Sequence, residues 1–125
     1  MKTIIDLKDQ ESVLTEWRGA KAAIWAFHIS HGRMAIVFER KGELHEFLYI
    51  IGIACEHLSG PFRWDQASIT IITEPPNQWG EVRRRIIDKQ AGFELVCRDV
   101  AIARGLGSVP KDPFENFFGD APGKV

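Results

Sequence analysis

Apolar and polar positions change rhythm several times along the chain, and each change marks an element. Leu7, Val13, Leu14 and Trp17 recur at near-helical spacing over residues 6–17. Asp6 stands where an N-cap belongs, and Gly19 stands where a helix ends. Three runs of strand character follow, over residues 22–29, 34–40 and 43–57. His31-Gly32 and Lys41-Gly42 between them have the form of tight two-residue hairpin loops. Such loops set Ser30 opposite Arg33 and Arg40 opposite Glu43. Trp25, Phe38 and His45 then form one cross-strand row, Phe27, Ile36 and Phe47 the next, and Ile29, Met34 and Tyr49 the third. That face is apolar and aromatic apart from His45, while the other is mixed. A slip of one residue would exchange the two faces.

The third run is long for a strand, and Gly52 inside it suggests a bulge or bend. Ser59, Gly60 and Pro61 turn the chain. Residues 67–73 read as a further strand, stopped by Glu74-Pro75-Pro76, and residues 93–103 as another. Residues 77–91 fit two patterns. As a helix, Asn77 caps it, Trp79, Val82 and Ile86 share a side, and Gly92 stops it. As a strand, Val82, Arg84, Ile86 and Asp88 alternate before a loop at Lys89, Gln90, Ala91 and Gly92. The β-branched Ile86-Ile87 pair and the antiparallel neighbours favour the strand. From Gly105 onward the chain is rich in glycine and proline.

These elements predict an α+β fold. A curved antiparallel sheet of five or six strands opens as a β-meander, with an N-terminal helix and an irregular C-terminal tail. Residues 1–125 form one domain, and the tail over 105–125 docks on its body through Phe114, Phe117 and Phe118. At 125 residues the chain can bury a sizeable core without disulfides or a metal.

A net charge of −1 argues against a surface built as a whole for nucleic acid or anionic lipid. No signal-like apolar stretch follows Met1-Lys2-Thr3-Ile4-Ile5-Asp6, and the longest apolar run, residues 47–55, is too short for a membrane helix. Both points predict a cytoplasmic protein. There Cys55 and Cys97, each inside an apolar run, are expected to be free, buried and slow to react.

Four features carry candidate chemistry. Cys55, Glu56 and His57 are residue types of nucleophilic and acid–base catalysis. On a regular strand Cys55 and His57 share a face but stand about 6–7 Å apart along the backbone. A core cysteine with Glu56 and His57 emerging into solvent is the simpler reading. Among the histidines, His45 and His57 are separated by about 40 Å of extended chain. His28 and His31 flank a turn but lack a third ligand, so no metal and no cofactor is expected. Arg83, Arg84 and Arg85 form a basic cluster, yet Glu81, Asp88, Glu94 and Asp99 are interleaved with it and its neighbours, which argues against nucleic-acid binding as a role. Phe62, Arg63 and Trp64 lie in a loop and are residue types common at interaction hot spots.

No catalytic motif is present. The residues therefore point to an interaction or small-ligand-binding domain, for example an operon-encoded partner or a toxin-neutralising type of protein. Its surface would be Phe62, Arg63 and Trp64, and its ligand a protein partner or a small molecule. The rival is a small enzyme with a pocket on the aromatic face, using His45, Tyr49, Cys55 or His57. A concave cavity holding at least two of those four would favour the enzyme. A flat exposed patch around Phe62 and Trp64 would favour the interaction domain.

Overall fold

A computed structural model describes residues 2–28, 32–40 and 46–106. His45, both glycine turn pairs except Gly32, and the tail phenylalanines lie outside the described residues. Strand β1 (Lys2–Ile4) leads through one 3-10 turn (Leu7–Asp9) into helix α1 (Gln10–Glu16). Strands β2 (Lys21–His28), β3 (Arg33–Arg40), β4 (Glu46–Ile53), β5 (His57–Ser59), β6 (Arg63–Trp64) and β7 (Thr70–Thr73) follow. The last three are β8 (Arg84–Asp88), β9 (Phe93–Cys97) and β10 (Asp99–Leu106). Residues 84–88 are thus strand, and the loop at 89–92 joins β8 to β9 as expected.

All described pairings are antiparallel, in agreement with the α+β expectation. They divide between two sheets, one of six strands in the order β1-β10-β4-β3-β2-β6 and one of four in the order β5-β9-β8-β7. The main core lies between them. Ile36, Phe38, Leu48, Ile50 and Ile102 of the large sheet meet Ile86, Phe93 and Leu95 of the small one. Helix α1 adds Val13 and Leu14, with Trp17 just beyond it, at the Arg40 end of β3. There the Arg40 guanidinium sits 4.1 Å above the Trp17 ring and also holds Glu16 and Glu46. The helix is shorter than its periodicity suggests. Asp6 makes no side-chain cap bond, and Leu7 is exposed.

The register differs from the one the turn pairs imply. His28 lies opposite Arg33, so four residues join β2 to β3. Arg40 lies opposite Glu46, so five join β3 to β4. The β2–β3 pairing also slips between Ile24 and Ala26, leaving Trp25 as the extra residue of a bulge. Trp25 and Phe38 consequently occupy opposite faces. Phe38, Ile36 and Met34 face the main core, whereas Trp25, Phe47 and Tyr49 belong to a second cluster with Ala35, Ile51 and Ala103. Tyr49 stacks on Phe47 at 5.7 Å and meets Trp25 edge-on at 5.5 Å. Every described member of that second cluster comes from the large sheet itself.

The long third run is two strands. β4 ends at Ile53, Ala54 takes a left-handed conformation (φ 55°), and β5 continues in the other sheet. Beside it β9 passes into β10 across Arg98 alone, changing sheets at the same place. The Arg98 N–H donates to the Ile53 carbonyl and the Glu56 N–H to the Val96 carbonyl, which locks the crossings together. The result is a corner at which two neighbouring strands leave one sheet for the other. Gly52 is no bulge, because it pairs in register with both Met34 and Val100. Its lack of a side chain serves close approach instead, as described below.

Candidate functional site

The corner and the bulge together leave a cleft at the Met34 end of β3, the end away from α1. Its volume is about 340 Å³ and its lining is largely apolar. Ile24, Met34, Leu58 and Leu95 form the walls, with Cys55, Glu56 and His57 along one side. Phe27 and Phe62 stand on the rim with 51% and 75% of their surface exposed. The bulge explains Phe27. By adding Trp25 it brings Phe27 onto the core-facing side opposite Met34, one residue from the end of β2. The Phe62 carbonyl accepts a hydrogen bond from the Ile24 N–H, so β6 is an edge strand that carries Phe62 over the cleft mouth.

Phe62, Arg63 and Trp64 do not make one surface. Trp64 turns inward, stacks on Phe93 at 4.6 Å and donates its indole N–H to buried Asp88 at 2.8 Å. Arg63 points the other way, into a groove of about 520 Å³ along the β2 edge. That groove is larger than the cleft, but its rim is exposed charge, including the Lys21–Asp65 pair at 4.0 Å. An exposed ion pair adds little binding energy, and the groove brings no nucleophile or apolar rim together. Phe62 alone of the three belongs to the cleft.

The other candidates separate in the same way. Tyr49 is fully buried in the second cluster, on the far side of the large sheet from Cys55. Cys55 and His57 both line the cleft. The Cys97 thiol and the Met34 backbone N–H beside the Cys55 sulfur hold its thiol below the usual range. Burial opposes that shift without outweighing it. Cys97 is fully buried, as its apolar run implies, whereas Cys55 is only half-buried. The Glu56 carboxylate accepts two bonds from Arg83, at 2.6 and 3.2 Å, which keep it below the ordinary carboxylate range. It stands ionised and occupied, unsuited to shuttling protons at neutral pH.

Sequence reasoning missed Cys97 as a neighbour of Cys55. The available signal was the break of phase in residues 93–103: Phe93, Leu95 and Cys97 alternate, and the alternation resumes on Val100 and Ile102. That break is the sheet crossing. Among the described residues no three His, Cys, Asp or Glu side chains gather as metal ligands would, and no helix is long and apolar enough to cross a membrane.

The arginine cluster is divided and paired. On β8, Arg84 turns toward Gln10 and Asp99, and Arg85 lies between Glu74 and Glu94. Arg83 holds Glu56, and Arg98 holds Glu81. A duplex needs several unneutralised cations on one side. Fluorescence anisotropy at physiological salt is therefore expected to detect no affinity for duplex DNA. Tight binding that falls steeply with salt and vanishes on replacing Arg83, Arg84 and Arg85 would contradict this.

No family model, curated protein or solved structure matches the chain.

Proposed function

We propose that this chain is a binding domain whose corner cleft takes a small, largely apolar ligand. The carrying observation is the pair Phe27 and Phe62, both exposed on the rim of one concave apolar lining. Isolated exposed phenylalanines are ordinary, but two rimming one cavity form a contiguous apolar site. The volume falls at the lower end of the range for small-molecule pockets, about 300–1,000 Å³. His57 and the Glu56–Arg83 pair supply polar groups at one side, which would orient a ligand without transforming it.

The cleft holds two of the four side chains that would mark an enzyme, Cys55 and His57. Binding remains the better reading because no acid–base pair is assembled. Glu56, which stands between Cys55 and His57 in the chain, is engaged by Arg83 at 2.6 Å.

The probe for this reading is the dye 8-anilinonaphthalene-1-sulfonate. The native protein is expected to raise its fluorescence, and the double variant Phe27→Ala/Phe62→Ala to lose most of that rise. Trp79→Ala, which removes an equally exposed aromatic outside the cleft, is expected to keep it. Dye binding that survives loss of both phenylalanines, or a native protein that leaves the dye dark, would remove the cleft as the site.

A further inference from the structure

The two cysteines lie at the two strand crossings of the corner. Cys55 follows the left-handed Ala54 where β4 gives way to β5, and Cys97 is the last residue of β9. In the β5–β9 register His57 is opposite Val96, which puts Cys97 across from Glu56, one step from Cys55. The turn at Ala54 folds the Cys55 side chain back over Gly52. A methyl group on Gly52 would lie 3.0 Å from the Cys55 sulfur and 3.5 Å from the Cys97 sulfur. Both sulfurs thus crowd the small space left by one glycine. One wall of that space is sealed, because Cys97 is fully buried, and the other opens into the cleft through Cys55.

We propose that Cys55 and Cys97 are a peroxide-responsive dithiol, in which Cys55 is oxidised first and Cys97 resolves it into a disulfide that staples the corner. The roles follow from access. Of the two, Cys55 alone meets solvent through the cleft, and Cys97 touches it from the protein side. The Met34 N–H and the neighbouring Cys97 thiol together favour the Cys55 thiolate, while the Cys97 S–H itself donates to the Arg84 carbonyl at 3.6 Å. Cys97 is pushed the opposite way, first by its neighbour Cys55 and then by burial, so it keeps its proton until the second step.

The chemistry balances with a hydroperoxide as oxidant. The Cys55 thiolate attacks one peroxide oxygen, the O–O bond breaks, and the departing oxygen is protonated to water or an alcohol. Cys55 is then a sulfenic acid. The Cys97 sulfur attacks the Cys55 sulfur, the S–S bond forms, and hydroxide leaves with the Cys97 proton as water. Two electrons pass from the two thiols to the peroxide. A low-molecular-weight dithiol reverses the change. None of these steps needs the cleft to bind a ligand, so the proposal stands apart from the binding reading.

The test uses the full chain, fully reduced, exposed to a small excess of hydrogen peroxide and then unfolded in an alkylating reagent. Intact mass is expected to show loss of two hydrogens and no alkylation, with a Cys55–Cys97 linked peptide after digestion. Dithiothreitol should restore both thiols. In Cys97→Ser the reaction is expected to halt at a sulfenic acid on Cys55, trapped by dimedone. Two alkylated thiols in the peroxide-treated wild type would overturn the proposal, as would a disulfide found only between chains. Those wild-type outcomes decide the matter even if a variant fails to fold.

Discussion

Replacing Asp88 with Ala is expected to lower stability by about 4 kcal/mol in urea denaturation. Asp88 is 1% exposed, on the core-facing side of β8 beside Phe93. Its carboxyl group accepts the Trp64 indole N–H at 2.8 Å, the Ser68 N–H at 2.8 Å and the Ala91 N–H at 3.3 Å. Three segments meet on one side chain: the edge strand β6, the approach to β7 and the loop after β8. Alanine strands all three part-buried donors, and each stranded donor costs about 1–3 kcal/mol. The variant Asp88→Asn would keep one oxygen. It can still serve Trp64 and Ser68 but turns an amide toward the Ala91 donor, so roughly half the loss should return. Equal, small losses in both variants would mean that the three bonds carry little.

The second large effect concerns Gly60, in the turn between β5 and β6. Its φ is +118°, a region that residues with a side chain rarely adopt. A Cβ there would lie 2.6 Å from the Gly92 carbonyl oxygen and 2.7 Å from the Phe93 Cα. Both are backbone atoms, so no side chain can swing aside. Gly60→Ala is expected to cost about 3 kcal/mol through strain and displacement together. The same turn delivers Leu58 and Phe62 to the cleft, so dye binding should fall along with the urea midpoint. A variant with the wild-type midpoint would show that this turn re-forms without penalty.

The antiparallel class, the first helix and the strand nature of residues 84–88 were all legible in the hydrophobic rhythm. The register was not, and β4 shows why. Phe47, Leu48, Tyr49, Ile50 and Ile51 are buried on both faces of the sheet, so their pattern carries no parity. The assignment then fell to the turn pairs, and loops of four and five residues shifted the pairing past them. Trp25 added a further inversion, because a bulge changes which side a strand shows without altering its composition. At the site, Cys55, His57 and Phe62 were visible as residue types. Their meeting with Phe27 and Cys97 depends on two strands changing sheets together, a long-range fact that no local spacing encodes.

The placement of β10 has a consequence for how the chain is made. It lies between β1 and β4, the first strand and one from mid-chain. A nascent chain that has emerged only as far as Arg98 offers β1 no neighbour and leaves one edge of β4 bare. Strand β1 must therefore wait for a partner about a hundred residues further along the chain before it finds its place. Closure over so long a sequence separation is slow, and an unpaired, apolar β4 edge in the interval is open to pairing with another chain. Exposure of β10, rather than translation of any earlier segment, is the event that permits the large sheet to close.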